Sequence, residues 1–345
     1  MTIVSMAKRR SVLIVVNPTS GRGRGRRIVA AVAQLLRSRG CEVAIRHTQR
    51  RGDAQGITCA ASASASERPD VILACGGDGT VQEVVNALAP LRTSLGSNCS
   101  LLALAPTGRC NDFARAFGIR SDPRIIADAV TNGATAEVDL GCVNGRYFCT
   151  VATLGADAEV SEYVDRMWMP MTGTPAYVYG AICVLPWYRS KRVRISGDFG
   201  EMERSVFIAS SANTSSYGGA IPIAPHAVPT DGMLDLCLID AVSRVKAMWL
   251  LPTVFTGRHV NLPSVHFIRT ARFRLEAEDP LDLWADGERL ARTPVDVAVA
   301  SAAVRLAVPP GFKAPIHETG SFTCLPNGRP HTAQPCHEGK DPATQ

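Results

Sequence analysis

DVILACGGDGTVQE, residues 70–83, decides the fold. Asp70–Cys75 is a short apolar run rich in β-branched residues, the pattern of a buried strand, and Val81, Val84, Val85 and Leu88 follow with helical spacing. Between them Gly76, Gly77 and Gly79 allow a sharp turn and a close approach of backbone to a ligand. Free N–H groups at the start of the following helix favour an anion. Asp78 is the odd residue, because a bare carboxylate repels phosphate unless it holds a cation or the waters of one. Taken alone, GGDG is equally well read as a strand-to-helix turn with an Asp cap. The rest of the chain decides between the two.

With 345 residues the chain has room for two domains, and 46% hydrophobic residues give each a sizeable core. A net charge of +6 suits an anionic surface or an anionic small ligand. Aromatic residues are not interleaved with the basic ones, which argues against nucleic acid as a partner. The 11 cysteines are scattered singly with no CxxC pair, the pattern of buried reduced thiols in a cytoplasmic protein. Lys8-Arg9-Arg10 precedes an apolar run, Ser11–Val16, that is too short for a signal-peptide core and ends in Asn17-Pro18. No apolar run approaches the ~20 residues of a membrane span. Two shorter ones, AYVYGAICVLPWY at 176–188 and AMWLLPTVF at 247–255, read as core helices that carry the Trp and Tyr of a wet interface.

In chain order the pattern alternates. Ser11–Val16 is a strand, Asn17–Gly21 a turn, and Arg22, Arg24, Arg26 and Arg27 a basic stretch where a phosphate-facing loop belongs. Ile28–Arg37 is a helix closed by Gly40, Glu42–Thr48 a strand, and a helix starts at Gly52-Asp53-Ala54 with Asp53 as its cap and runs to Ser66. Leu101–Ala105 is a fourth strand, after the Asp70 strand and the Val81 helix. Strands separated by helices imply a parallel α/β domain with ligands at the strand C-terminal ends. After about Asp139 strands dominate: 147–154, 192–196, 205–212, 234–239, 266–275, 281–285, 295–299 and 304–308, with helices near 159–188 and 243–256. Residues 316–345 read as a disordered tail.

In this order the motifs NPTSG (17–21), HTQRRGDA (47–54), GGDGTVQEVVNAL (76–88), PTGRCNDFARAFGI (106–119), VDLG (138–141), TLGADAEV (153–160), GGAIPIAPHAVPTDGMLDL (218–236) and ADGE (285–288) resemble the diacylglycerol kinase catalytic family. That family of lipid kinases includes the sphingosine and ceramide kinases and small bacterial enzymes. The resemblance covers roughly 11–310. GGDG by itself is shared with phosphofructokinases and NAD kinases; the ordered set is far more specific.

The resemblance implies an α/β + β protein: a doubly wound, NAD kinase-like α/β domain at 1–140, a β-sandwich lipid-acceptor domain at 141–315 whose last strand returns to the first domain, and a ligand cleft between them. It implies ATP and Mg2+ as cofactors and a diacylglycerol-like lipid as substrate. By position, Asn17, Pro18, Thr19, Ser20, Gly21, Thr48, Gly77, Asp78, Gly79, Thr80, Val81, Gln82 and Glu83 match nucleotide contacts. Asp78, Asp112 and Asp139 match acids that hold magnesium through water, and Asp231 with the carbonyls of Val228 and Met233 matches a structural magnesium site. Asp286 or Glu288 matches the proton acceptor. Independently, phosphoryl transfer needs charge neutralisation at the β- and γ-phosphates and an in-line hydroxyl, and magnesium takes few direct carboxylates. A carboxylate in the Gly turn at 286–288 is able to reach a lipid hydroxyl.

One position departs from the pattern. Gly108-Arg109-Cys110-Asn111-Asp112 carries Arg109 where the family has a nucleotide-contacting threonine. Arginine can clamp a phosphate or obstruct the usual pose. The alternatives are an NAD kinase-like nucleotide kinase, on the strength of GGDG, or, because of Arg109, a weakly active ATP- and lipid-binding homologue. The basic loop and the aromatic runs point to peripheral docking on an anionic membrane surface. The sequence leaves the oligomeric state open, with a homodimer as one option.

Overall fold

The structure, a computed structural model, describes residues 9–167 and 174–315; the tail expected over 316–345 lies outside the described residues, as do the side chains of Arg22 and Arg24. It forms two compact units. One comprises the chain as far as Gly108 together with Phe117–Ala136 and Val304–Lys313; the other is built from Arg109–Ala116 and Glu137–Ala303.

The first unit contains β1 (Ser11–Val16), α1 (Arg24–Ser38), β2 (Glu42–His47), α2 (Asp53–Ser62), β3 (Val71–Gly76), α3 (Asp78–Leu95) and β4 (Leu101–Pro106). After α4 (Asp112–Ala116), which belongs to the second unit, α5 (Pro123–Asn132) returns to the first. The strands pair in parallel in the order β2-β1-β3-β4, and the end of the chain's last strand joins β4 with Leu306 beside Leu102. Every residue of β3 and β4 is buried, as expected of strands covered on both faces. On one face α1 and α5 pack Val29, Val32, Leu36, Ile126 and Val130 against Val12, Ile14 and Leu73. The alternate residues Leu13, Val15, Ile72 and Ala74 are buried too, toward the face that α2 and α3 cover.

Three local expectations change. The third helix begins at Asp78 rather than Val81, so GGDG is the strand end and first helical turn themselves. Its glycines are needed for space, not for positive φ: a Cβ on Gly76 would lie 2.3 Å from Thr80 Oγ1, and one on Gly77 3.1 Å from Gly108 Cα. The cap of α2 is Gly52, at φ 88, while the Asp53 carboxylate reaches back to accept from the amides of Gln49 (2.8 Å) and Arg50 (3.0 Å).

In the second unit the elements are β5 (Ala134–Val143), β6 (Arg146–Phe148), β7 (Val151–Gly155), α6 (Ala156–Arg166), α7 (Thr174–Val184), β8 (Lys191–Gly197), β9 (Gly200–Ala212), β10 (Leu234–Asp240), α8 (Arg244–Phe255), β11 (Val265–Thr270), β12 (Arg272–Ala277), β13 (Asp282–Ala285), β14 (Glu288–Arg292) and β15 (Val295–Val308). Pairing is antiparallel in the order β14-β13-β7-β9-β8-β12-β15, and the long β9 also carries β10 and then β11. One core fills the inside of this sheet with Phe148, Leu154, Ile195, Leu236, Leu275 and Val297. A second lies on the outer face, where Phe207, Cys237 and Ile239 meet α6, α7 and α8.

The expected strand at 147–154 breaks at Cys149-Thr150, and that at 266–275 breaks at Ala271, where the chain changes neighbour from β10 to β8 and β15. The expected strands at 295–299 and 304–308 are one, with Ala302 at φ 50 inside it. The sequence reading passed over α5 and β5, although Asp122-Pro123 is a helix start, with the Asp122 carboxylate accepting from Arg124 N–H (2.8 Å).

Candidate active site

Four strand ends of the first unit are stitched into one edge. Asn17, after β1, donates its N–H to the Cys75 carbonyl (2.9 Å), while its side-chain oxygen accepts from Thr19 N–H (3.1 Å) and hydroxyl (2.8 Å). Its Nδ2 lies 3.4 Å from Thr80 Oγ1, on the first turn of α3. Thr107, after β4, donates its N–H to the Gly76 carbonyl (2.9 Å) and its hydroxyl to Ser20 Oγ (3.1 Å). Thr48, after β2, donates its N–H to the Val16 carbonyl (2.8 Å). The structure thus brings together Asn17, Thr19, Ser20, Thr48 and Gly77–Thr80 at the N-terminus of α3, where amides point outward. Half-buried Asp78 occupies the first helical position. Beside Thr48 lies an open basin walled by His47, Gln49, Arg50, Arg51 and Ile57.

Glu83 has a structural task at this edge. Its carboxylate accepts from Gly52 N–H and Ala54 N–H, both at 2.9 Å, and so ties the start of α2 to α3. Val81 and Gln82 are buried in α3.

The second unit holds the remaining acids, each in its own nest. Asp112 is 4% exposed and accepts from the amides of Gly219 and Ala220, both at 2.9 Å, and from Arg115. Asp139 accepts from Gly232 N–H (2.7 Å) and Ala302 N–H (2.8 Å); burial nevertheless raises its pKa, with the Asp231 charge adding to the effect. Asp286, at φ 51 in the β13–β14 turn, accepts from Cys149 N–H (2.6 Å), Thr150 N–H (2.9 Å) and the Thr150 hydroxyl (2.5 Å). Desolvation outweighs these donors and, with the Glu288 charge, pushes Asp286 up to about 6. Glu288, half-buried, opens β14. Arg109 is exposed.

Residues 11–143 match the diacylglycerol kinase catalytic domain, and residues 150–308 the YegS C-terminal NAD kinase beta sandwich-like domain. The Bacillus subtilis diacylglycerol kinase is 34% identical over 276 residues, spanning 80% of this chain and 88% of that one. The chain belongs to the diacylglycerol kinase family. A diacylglycerol kinase of Mycobacterium tuberculosis H37Rv is 31% identical over 305 residues, covering 86% of this chain and 95% of its own. A crystal structure of a candidate diacylglycerol kinase from Bacillus anthracis superposes with a TM-score of 0.75 at 25% identity, covering 89% of this chain and all of that one. By family the protein is a lipid kinase with a catalytic α/β domain and a β-sandwich-like domain, as its motif series implied. An NAD kinase likeness persists in the description of the sandwich domain alone.

The resemblance implied magnesium, and its two implied placements fare differently. Among the described residues no three His, Cys, Asp or Glu side chains converge as metal ligands. Asp139 commits both oxygens to backbone amides but keeps spare lone pairs, which fits contact with a cation through its water shell, whereas Asp112 Oδ1 accepts from both Ala220 N–H and Arg115, so a lone pair is left on Oδ2 alone. The structural site does not fit. The Asp231 carboxylate accepts from Arg269 (2.5 Å) and from Met233 N–H (3.0 Å), and Arg269 also lies 3.9 Å from buried Asp235. A guanidinium therefore supplies the positive charge that the resemblance assigned to a metal on Asp231, Val228 and Met233. Arg269→Ala is expected to lower the thermal midpoint by about 4–8 °C, from about 2 kcal/mol for a half-buried pair. EDTA should move the parent's midpoint by less than about 1 °C on the same grounds. A chelator-induced drop as large as the variant's would return the metal to this place.

Sequence reading missed Thr107, Thr150, Arg269 and Asp157. The last sat inside a quoted motif, TLGADAEV, without a role. It is buried on α6, hydrogen-bonded to the side chains of Tyr217 and Thr153, with Oδ2 unpartnered, and burial raises its pKa.

Proposed function

We propose that the chain transfers the γ-phosphate of ATP to the hydroxyl of a diacylglycerol-like lipid. The observation that carries this reading is an apolar pocket in the second unit, walled by α6, α7, α8 and the outer face of the sheet. Val160, Leu185, Phe207, Ile239 and Leu250 line it, and Asp157 is its acidic group. Such a lining accepts an acyl chain and offers one carboxyl for a polar head; it has nothing to recognise the ribose and pyrophosphate of a dinucleotide. The stitched edge of the first unit supplies the complementary half of the chemistry. Asn17–Gly21, Thr48, Arg109 and the amides opening α3 would bind the nucleotide, and Asp78, with Asp112 and Asp139, would meet the water shell of the magnesium that accompanies it. Asp286 or Glu288 would accept the hydroxyl proton. Peripheral association with an anionic membrane belongs to the same reading, and a homodimer is the alternative use of the apolar surface described below.

The test is phosphate transfer from labelled ATP to diacylglycerol, sphingoid bases and mixed lipid extracts, followed against pH. A base must be ionised to work, so with Asp286 raised to about 6 the rate should fall about tenfold per unit below that pH. Asp286→Asn should lower kcat by about 10²–10⁴-fold and abolish that acid limb, and a loss of that size in Glu288→Gln alone would assign the base to Glu288 instead. No labelled lipid from any acceptor would overturn the proposal, and ADP-free binding of ATP and lipid would mark a homologue silenced at Arg109.

A further inference from the structure

Among the described residues the exposed large hydrophobic side chains are Met167, Tyr179, Ile182, Trp187, Val245 and Trp249. All lie in one part of the second unit: the end of α6, α7 with the turn that follows it, and α8. Trp187 is 78% exposed, Trp249 77% and Val245 71%. The opposite faces of the same two helices line the apolar cavity, through Tyr177 and Ala181 on α7 and Ala247, Leu250 and Val254 on α8. Each helix is therefore apolar on both sides, one toward the cavity and one toward solvent. A helix of that kind calls for a second apolar environment.

Charge identifies the occupant. Arg189, Arg244 and Lys246 are exposed beside these side chains, and α8 contains no Asp or Glu. Tryptophan next to Lys and Arg is the combination that settles at a lipid–water interface over anionic headgroups. We propose that α7 and α8 form a docking face that lies on an anionic bilayer, with Trp187, Ile182, Val245 and Trp249 entering the headgroup layer and Arg189, Arg244 and Lys246 pairing with lipid phosphates. The proposal rests on the lipid-acceptor reading for its purpose: the helices that wall the acceptor cavity are those that touch the reservoir of acceptor.

The experiment is sedimentation of the full chain with phosphatidylcholine vesicles, with and without phosphatidylglycerol, in the absence of ATP and diacylglycerol. Trp fluorescence against bromine-labelled lipid reports insertion. The parent should sediment with anionic vesicles and its fluorescence should be quenched. The Trp187→Ala/Trp249→Ala double variant should bind on the order of 100-fold less, from the indole area withdrawn from the interface. Arg244→Gln/Lys246→Gln should bind about 25-fold less to anionic vesicles, at about 1 kcal/mol per basic residue, with little change on neutral ones. Both pairs are exposed, so the thermal midpoint should stay at the parent's value, as should turnover of a short-chain acceptor dispersed in water. Unchanged sedimentation of the tryptophan variant would overturn the docking face. So would a parent dimer that the same substitutions dissociate. A parent that binds vesicles yet phosphorylates no lipid would sink the kinase reading and leave the docking face standing.

Discussion

Asp78→Asn is expected to cut phosphoryl transfer by at least about 10³-fold while shifting the thermal midpoint by no more than about 2 °C. Asn keeps the shape of the side chain at the first position of α3 and removes only its charge. That charge contributes about 0.3–1 kcal/mol to a helix N-terminus, so the fold tolerates its loss. The chemistry does not, on the reading above, because a triphosphate beside bare amides and a hydrated cation needs an anion to hold the cation in place. Labelled-phosphate assays and thermal unfolding of parent and variant check both halves. Activity within tenfold of the parent would remove Asp78 from the reaction.

Asp112→Ala is the second large effect, and its cause is different. Its buried carboxylate is the common acceptor for the Gly219 and Ala220 amides and for Arg115, and Ala220 sits at φ 88, a conformation L-residues rarely adopt. Removing the carboxylate leaves the Gly219 and Ala220 amides without their acceptor and the Arg115 guanidinium without its counter-ion. The expected cost is about 3 kcal/mol, a midpoint lower by about 6–12 °C. Activity should fall along with stability. A variant with the parent's midpoint and no activity would leave Asp112 its place at the magnesium water shell and discard the role of loop anchor.

The two aspartates show what one dimension of sequence carries and what it does not. Asp78 was legible because its neighbours are local: a buried strand, space-demanding glycines and a helix start all lie within 70–83. The parallel order of the first unit followed from the same alternation. Asp112, by contrast, meets amides over a hundred positions away, at 219 and 220, and nothing in NDFAR announces them. Arg269 was illegible for the same reason. Strand pairing, with Asp235 opposite Arg269 on β10 and β11, puts it on a carboxylate that looked like a metal ligand. Asp157 was hidden by its company, the buried one among four acids along α6. Breaks at Cys149 and Ala271 were invisible because β-branched and apolar residues run through both, and only a change of strand neighbour marks them.

The path of the chain has a practical consequence. Residues 109–116 and 137–303 build one unit while 117–136 and 304–313 return to the other. A stop codon after Ala303 would strip the α/β sheet of the strand that carries Leu306 and Ala307, both fully shielded from water. No single protease cut releases either half whole, and expression of the catalytic segment as a continuous fragment ending near 143 should yield insoluble material. Complementation by two separately translated pieces would have to split the gene inside an exposed loop, not at the border that family matching draws.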